Sequence, residues 1–185
     1  TASGETEIRE LDIGTTAAIG VRLRGSAASA AGVSDGHVVY DNVLGAAQAT
    51  QRPLLDGTED SVAFASAPAK PEVVYDVTLK SEIAGLRLYE NTLEMLDARG
   101  TPRLRMSPPV VVAKGGARVA AQVTVEGCAV DTSPLPPWGR AVTAPGATAC
   151  AVRVSWPATI AYPAVLDPTW SSTGSMAVHR RDFVL

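Results

Sequence analysis

The sequence is poor in the residues that several common kinds of site require. Of its 185 residues only two are histidine and two are cysteine, and no Cys-x-x-Cys pair occurs, so a zinc site is not expected. The formal net charge is -3, which argues against a nucleic-acid partner because affinity for a phosphate backbone is mostly electrostatic. No apolar run approaches the roughly 18 to 20 residues that span a bilayer, so we expect no transmembrane segment.

Residues that support catalysis are also sparse. His37 and His179 stand far apart in the chain, and no Gly-x-Ser-x-Gly motif places a serine nucleophile next to a base. A serine hydrolase needs a nucleophile held by a base that is itself oriented, so we expect no Ser/His/Asp triad. We therefore predict that this chain is not an enzyme and holds no cofactor.

From the two ends of the sequence we expect this chain to belong to a longer gene product. No signal-peptide pattern opens it at Thr1, and we expect an export signal to have been removed or to lie outside this sequence. The other end stops on the apolar pair Val184 and Leu185. We expect more protein to follow there in the native gene product.

Apolar residues recur at every second position, which is the pattern of a β-strand with one buried face. Aromatic residues are only 5% of the chain, so valine and alanine must supply most of the core. No segment shows a sustained 3.6-residue period, and only an alanine-rich stretch at 26–32 offers one helical turn. The sequence predicts an all-β fold, an antiparallel β-sandwich of two packed sheets with little helix. The clearest predicted strands are 19–23, 73–79, 119–125 and 150–156.

The two cysteines, Cys128 and Cys150, flank a loop rich in proline and glycine. This arrangement favours a disulfide over the alternative of two unpaired buried thiols. A disulfide indicates an oxidising compartment, and hence a secreted or cell-surface protein.

An acidic cluster of Asp56, Glu59 and Asp60 next to Gly57 offers a weak calcium candidate, because carboxylate oxygens are the ligands of calcium. The spacing matches no EF-hand, and an acidic turn is more often simply solvated. We therefore predict no metal.

Two sets of residues are candidates for ligand binding. The three tryptophans, Trp138, Trp156 and Trp170, offer a stacking platform for carbohydrate, although core packing is the commoner use of such residues. Arg103 and Arg105 share one strand face and offer an anion patch, against the alternative of an ordinary charged strand face. Trp138 and Arg140, in or beside the proline-rich loop, complete the candidate binding residues.

Several short phrases occur in a familiar order along the chain, namely residues 74–79, 85–88, 93–98, 102–109 and the Tyr-Pro-x-x-x-Asp-Pro phrase at 162–168. In this order they resemble the β-rich module that precedes kelch or other β-propeller repeats in large secreted bacterial proteins. The following Thr173, Gly174, Ser175 and Met176, with Arg180 or Arg181, resemble the opening of a first kelch repeat. The resemblance covers the chain from about Gly36 onward.

The predicted domain organisation is a β-sandwich module at 1–168 and, at 169–185, a linker with the start of a possible kelch-like repeat. The resemblance also implies a downstream propeller or another protein chain as partner and assigns no catalytic residues. The predicted function is a non-catalytic structural and interaction module that caps or presents the propeller. Two alternatives stay open: a module that binds a glycan or another surface polymer, and an accessory domain of a kelch-containing enzyme whose active site lies downstream.

Overall fold

The computed structural model describes residues 6–9, 17–80 and 82–173, and the structural statements below refer to these residues. They form sixteen β-strands and no helix, which confirms the predicted all-β class. The strands are β1 (Thr6–Arg9), β2 (Ala18–Leu23), β3 (Ala31–Ser34), β4 (His37–Leu44), β5 (Ala47–Leu54), β6 (Gly57–Phe64), β7 (Glu72–Leu79), β8 (Gly85–Tyr89), β9 (Thr92–Leu96), β10 (Pro102–Met106), β11 (Val110–Val112), β12 (Arg118–Ala120), β13 (Gln122–Glu126), β14 (Ala149–Ser155), β15 (Ala164–Asp167) and β16 (Thr169–Ser172).

The strands form two antiparallel sheets packed face to face, which confirms the predicted sandwich. The small sheet has five strands in the order β1-β2-β7-β14-β13. The large sheet has eleven, with the main path β12-β11-β15-β6-β16-β10-β9-β8. Strands β3, β4 and β5 extend it beside β6 as consecutive hairpins: β5 pairs with β6, β4 with β5 and β3 with β4.

The core lies between the sheets and is built largely from the alternating residues that the sequence indicates. On β7, Val73, Tyr75 and Val77 are buried while the residues between them are partly exposed. The large sheet contributes fully buried side chains such as Met106 and Trp170. The outer face of the small sheet carries charged pairs instead, with Arg22 and Arg24 on Asp76, and Arg153 on Glu72 and Glu126.

The predicted strand 119–125 is in fact two strands that belong to different sheets. β12 pairs with β11 in the large sheet, and β13 pairs with β14 in the small sheet. The chain crosses between them at Ala121, which is fully buried. Asn91, in the β8–β9 turn, holds this crossing because its amide donates to the Ala121 carbonyl and accepts from the Val123 N–H at 2.9 Å. The strand is ended by a contact from a turn that is distant in sequence, so the local sequence pattern does not predict the crossing.

The first residues of the predicted linker at 169–185 form a strand. Thr169–Ser172 is β16, which lies between β6 and β10 in the large sheet. Its Trp170 is completely buried and packs edge-on against Tyr75 of the small sheet, with ring centroids 5.9 Å apart. These residues complete the sandwich, so a linker cannot begin at Thr169. Residues 174–185, with the kelch-like opening after Thr173, lie outside the described part of the chain.

The alanine-rich stretch at 26–32 forms no helical turn. Residues 26–30 are irregular and 31–34 form β3, whose residues are all exposed. Small side chains give this stretch no apolar face to bury, so hairpin pairing with β4 decides its conformation. Within the described ranges, no helix is present that is long and apolar enough to cross a membrane.

Candidate functional site

A disulfide joins Cys128 to Cys150, as predicted. Cys150 is the second residue of β14, and Cys128 follows β13 after a glycine. The Cα atoms are 5.5 Å apart, and the two cysteines are separated by 22 positions in sequence. The Ala129 N–H donates to the Pro145 carbonyl at 2.7 Å and closes the segment between the cysteines a second time. The long connection from β13 to β14 is therefore held firmly at its base.

Arg140 braces the interior of this connection. Its Nη2 donates to Asp131 Oδ2 at 2.5 Å, and its Nε donates to the Pro136 carbonyl at 2.8 Å. The Ser133 N–H also donates to Asp131, at 2.8 Å. The Ser133 N–H and the Arg140 guanidinium hold the pKa of Asp131 below its usual value, since both favour the ionised carboxylate. Arg140 is thus a structural brace of the loop.

The connection lies against the end of the large sheet. The backbone of Asp131 makes two hydrogen bonds to the edge strand β8. The Asp131 N–H donates to the Leu86 carbonyl, and the Leu88 N–H donates to the Asp131 carbonyl, each at 2.9 Å. Further on, the loop approaches the β9–β10 turn so closely that a Cβ on Gly100 would lie 2.5 Å from the Pro137 carbonyl oxygen. The segment 131–143, here called the Trp138 loop, is therefore a fixed part of the sandwich surface.

Trp138 and Leu135 are the exposed apolar residues of the Trp138 loop, with 61% and 60% of their surfaces accessible. The other two tryptophans, Trp156 and Trp170, are buried in the core. The three-tryptophan platform is therefore wrong, because strand alternation turns two of its members inward. One exposed tryptophan on a braced loop remains.

Arg103 and Arg105 share the outer face of β10, but they lie next to different acidic residues. Arg103 lies 3.9 Å from Asp97 in the β9–β10 turn, beside the Trp138 loop. Arg105 stands opposite Glu94, the residue to which Arg87 donates at 2.7 Å. The structure thus places Trp138, Arg140 and Arg103 at one end of the large sheet, with Arg105 further along β10.

The last described strand, β16, ends at this same end of the large sheet. β16 runs antiparallel to β10, with Met106 opposite Trp170 and Leu104 opposite Ser172. The next residue, Thr173, donates from its N–H to the Arg103 carbonyl at 3.0 Å and from its hydroxyl to the Pro102 carbonyl. Since Pro102 follows the β9–β10 turn that contacts Trp138, Thr173, the last described residue, lies near the exposed tryptophan.

The calcium candidate is wrong. Glu59 and Asp60 are adjacent on β6, so their side chains point to opposite faces of the sheet. Glu59 pairs with Arg52 at 3.3 Å, whereas Asp60 is buried and Asp56 is exposed in the β5–β6 turn. The described residues hold no cluster of histidine, cysteine and carboxylate groups that could bind a metal.

A second polar feature lies between the two sheets, at a partly open cavity of about 40 Å³ lined by residues of both. Asp60 and its cross-strand partner Gln51 face the cavity from the large sheet, and Thr6 and Tyr75 from the small sheet. Burial raises the pKa of Asp60 to about 6, against hydrogen bonds from Gln51 and Thr58 that favour the carboxylate. The Tyr75 hydroxyl is buried without a hydrogen-bond partner. The sequence signal for this buried acid was its place in the alternation of β6. Asp60 shares the inward face of the strand with Thr58 and Val62, and the residues between them are more exposed.

The described histidine offers no catalytic arrangement. His37 opens β4, and its Nδ1 lies 2.8 Å from the Asp35 carbonyl oxygen in its own hairpin turn. His179 lies outside the described residues. Comparisons with protein-family models, curated proteins and solved structures find no match to this chain.

Proposed function

We propose that this chain is a non-catalytic structural and interaction module of a secreted or surface protein, and that it presents a downstream β-propeller through the Trp138 loop. The observation that carries the proposal is the position of exposed Trp138 near Thr173, the last described residue of the chain. The disulfide supports export, because such bonds persist in oxidising compartments.

The described part of the chain ends on a firmly held strand, which suits a module that orients the next domain. β16 is flanked on both sides by paired strands, and Trp170 anchors it in the core. Thr173 is still bonded to β10. A domain that follows such a strand starts from a fixed position, so a contact surface close to Thr173 can help to fix its orientation.

The Trp138 loop has the character of an interaction surface. Tryptophan is enriched among the residues that dominate binding energy, and pre-organised groups lose less entropy on binding. Trp138 presents its side chain from a backbone that the disulfide, Arg140 and the Gly100 contact already fix. Leu135 widens the apolar surface, which the partner would cover.

The test compares this 185-residue chain with the full-length natural gene product, each carrying Trp138→Ala. Leu55→Ala is the matched control because Leu55 is a fully exposed apolar residue in the β5–β6 turn. We expect Trp138→Ala to lower the thermal midpoint of the full-length protein by about 5 °C and to leave the 185-residue chain unchanged. Leu55→Ala should change neither. An equal effect in both proteins, or none, contradicts the proposal, as does a gene product without repeats after Leu185.

A glycan or surface polymer is the second candidate partner, favoured by the exposed indole of Trp138, since sugar rings stack on exposed aromatic faces. Binding to a glycan array should then be lost in Trp138→Ala and kept in Leu55→Ala. Absence of binding by the wild-type chain to any polymer would remove this candidate and leave the first untouched.

A further inference from the structure

We propose that Thr6 and Gln51 react with each other to form an intramolecular ester bond that links the two sheets, with release of ammonia. Thr6 lies on β1 of the small sheet and Gln51 on β5 of the large sheet. The proposed cross-link is separate from the Trp138 loop and does not depend on the proposed function.

The two reacting groups are already in contact. Gln51 Nε2 donates to Thr6 Oγ1 at 2.9 Å, in a partly buried position between residues 45 apart in sequence. The carboxamide carbon is one bond beyond this nitrogen, so the hydroxyl needs only a small displacement to reach the roughly 3 to 3.5 Å of a near-attack geometry. Holding the two groups together in this way replaces the entropy cost of a bimolecular encounter.

Asp60 is placed to move the protons. It is the direct cross-strand partner of Gln51, and the Gln51 side chain hydrogen-bonds to its carboxyl group. A hydroxyl is a poor nucleophile and an amide is a poor leaving group, so the reaction needs a base for the first and an acid for the second. Since burial brings the pKa of Asp60 to about 6, both protonation states are accessible near neutral pH.

Tyr75 supplies a donor that the resting contacts leave unused. Its hydroxyl is fully buried, has no hydrogen-bond partner and belongs to a residue that lines the same cavity as Gln51. Attack on the amide places negative charge on the Gln51 carbonyl oxygen. A buried hydroxyl that donates to this oxygen as the charge forms stabilises it strongly because little water competes with it.

The step balances without any added reagent. The Thr6 Oγ–H bond breaks, its proton passes to Asp60, and Oγ bonds to the Gln51 side-chain carbon. Asp60 then returns the proton to the departing nitrogen, the C–N bond breaks and ammonia leaves. The product is an ester between the two side chains, with Asp60 restored.

The cross-link would secure the weakest strand of the small sheet. β1 has four residues and pairs only with β2 among the described strands. A short edge strand with one partner opens easily. A covalent bond to β5 would tie it to the opposite sheet.

Intact-mass spectrometry of the purified 185-residue chain tests the proposal. We expect the wild-type mass to be lower than the disulfide-bonded sequence mass by one ammonia, and peptide mapping to find the segments around Thr6 and Gln51 joined. Thr6→Ser keeps the hydroxyl and should keep the mass loss. Thr6→Val and Gln51→Glu should show none, Asp60→Asn and Tyr75→Phe should form the bond more slowly, and the control Thr50→Val, at another residue lining the cavity, should behave as wild type.

A wild-type mass equal to the unmodified sequence, both on purification and after days of incubation near pH 6, overturns the proposal and leaves the Thr6–Gln51 contact as an ordinary hydrogen bond. A mass loss that persists in Thr6→Val also overturns it, because the ammonia then comes from another residue. Valine suits an exposed or edge strand, so Thr6→Val is expected to fold.

Discussion

Asp60 and Tyr75 line one cavity from opposite sheets, and the charge of the carboxylate adds to burial in raising the pKa of the tyrosine hydroxyl well above its ordinary value. The pair sits inside a sandwich whose core is otherwise almost entirely apolar. Burying an ionised acid among neutral donors costs free energy, and this cost depends on pH.

Stability should therefore fall as the pH rises from about 4 to about 6. The unfolded acid releases its proton near its ordinary pKa of 3.8, whereas the folded acid keeps it until about 6. Between these values folding takes up a proton, so stability is greatest on the acid side and is lost as the pH rises through the folded pKa. The difference of about 2 pKa units corresponds to about 3 kcal/mol.

Asp60→Asn removes this titration. We expect its free energy of unfolding, measured by urea titration, to vary less between pH 4 and pH 6 than that of the wild type. The stability of the variant relative to the wild type should therefore increase as the pH rises. The control Glu59→Gln changes the adjacent acid on the outer face, and the wild-type dependence on pH should persist there. A slope in Asp60→Asn equal to that of the wild type would show that another group causes it.

The disulfide should contribute most of the stability of the β13–β14 connection. Closing a loop between residues separated by 22 positions is worth about 3 kcal/mol in the chain-entropy model. The double variant Cys128→Ala and Cys150→Ala should lose about that much in urea titrations. Reductant should destabilise the wild type to a similar degree and leave the double variant unchanged, which separates loss of the bond from loss of packing around Cys150.

Sequence predicts what side-chain alternation controls, and little more. The inward positions of β7 and β14, such as Val73 and Val154, follow from period-2 patterning. The crossing at Ala121 depends on Asn91, about 30 residues away, and no local signal could reveal it. Strand β16 is missed for the same reason: Thr169–Ser172 is short and mostly polar, and only its neighbours β6 and β10 make it a strand.

The same distinction applies to the candidate sites. The disulfide and the exposure of Trp138 in a proline-rich loop match the spacing and composition of that segment. The calcium cluster fails because alternation on β6 separates Glu59 from Asp60. The contact of Thr6 with Gln51 joins two sheets, and its discovery needs the packing of β1 on the large sheet.

Arg140 should control the order of the Trp138 loop and leave the sandwich intact. Arg140→Ala removes donors to Asp131, Leu135 and Pro136. We expect amide hydrogen exchange across residues 131–143 to become about tenfold faster, while exchange in β7 and β14 stays unchanged. Arg105→Ala is the matched control, since it removes an arginine from the neighbouring sheet face. Unchanged exchange in the loop would mean that the disulfide and the Gly100 contact alone hold it.

The end of the sandwich can be located by truncation. A chain ending after Thr173 keeps all of β16, whereas a chain ending after Pro168 loses the strand between β6 and β10 and opens the core where Trp170 packs on Tyr75. Loss of a buried tryptophan side chain alone costs about 3 to 5 kcal/mol. The Trp170→Ala variant should therefore lose nearly as much stability as the chain that ends after Pro168. We expect thermal melting of the chain ending at 173 to match that of the 185-residue chain, and the chain ending at 168 to melt far lower or not fold. Equal melting of the two truncated chains would restore a boundary at residue 168. It would also show that β16 is not firmly held, and the proposed presentation of a following domain depends on that strand.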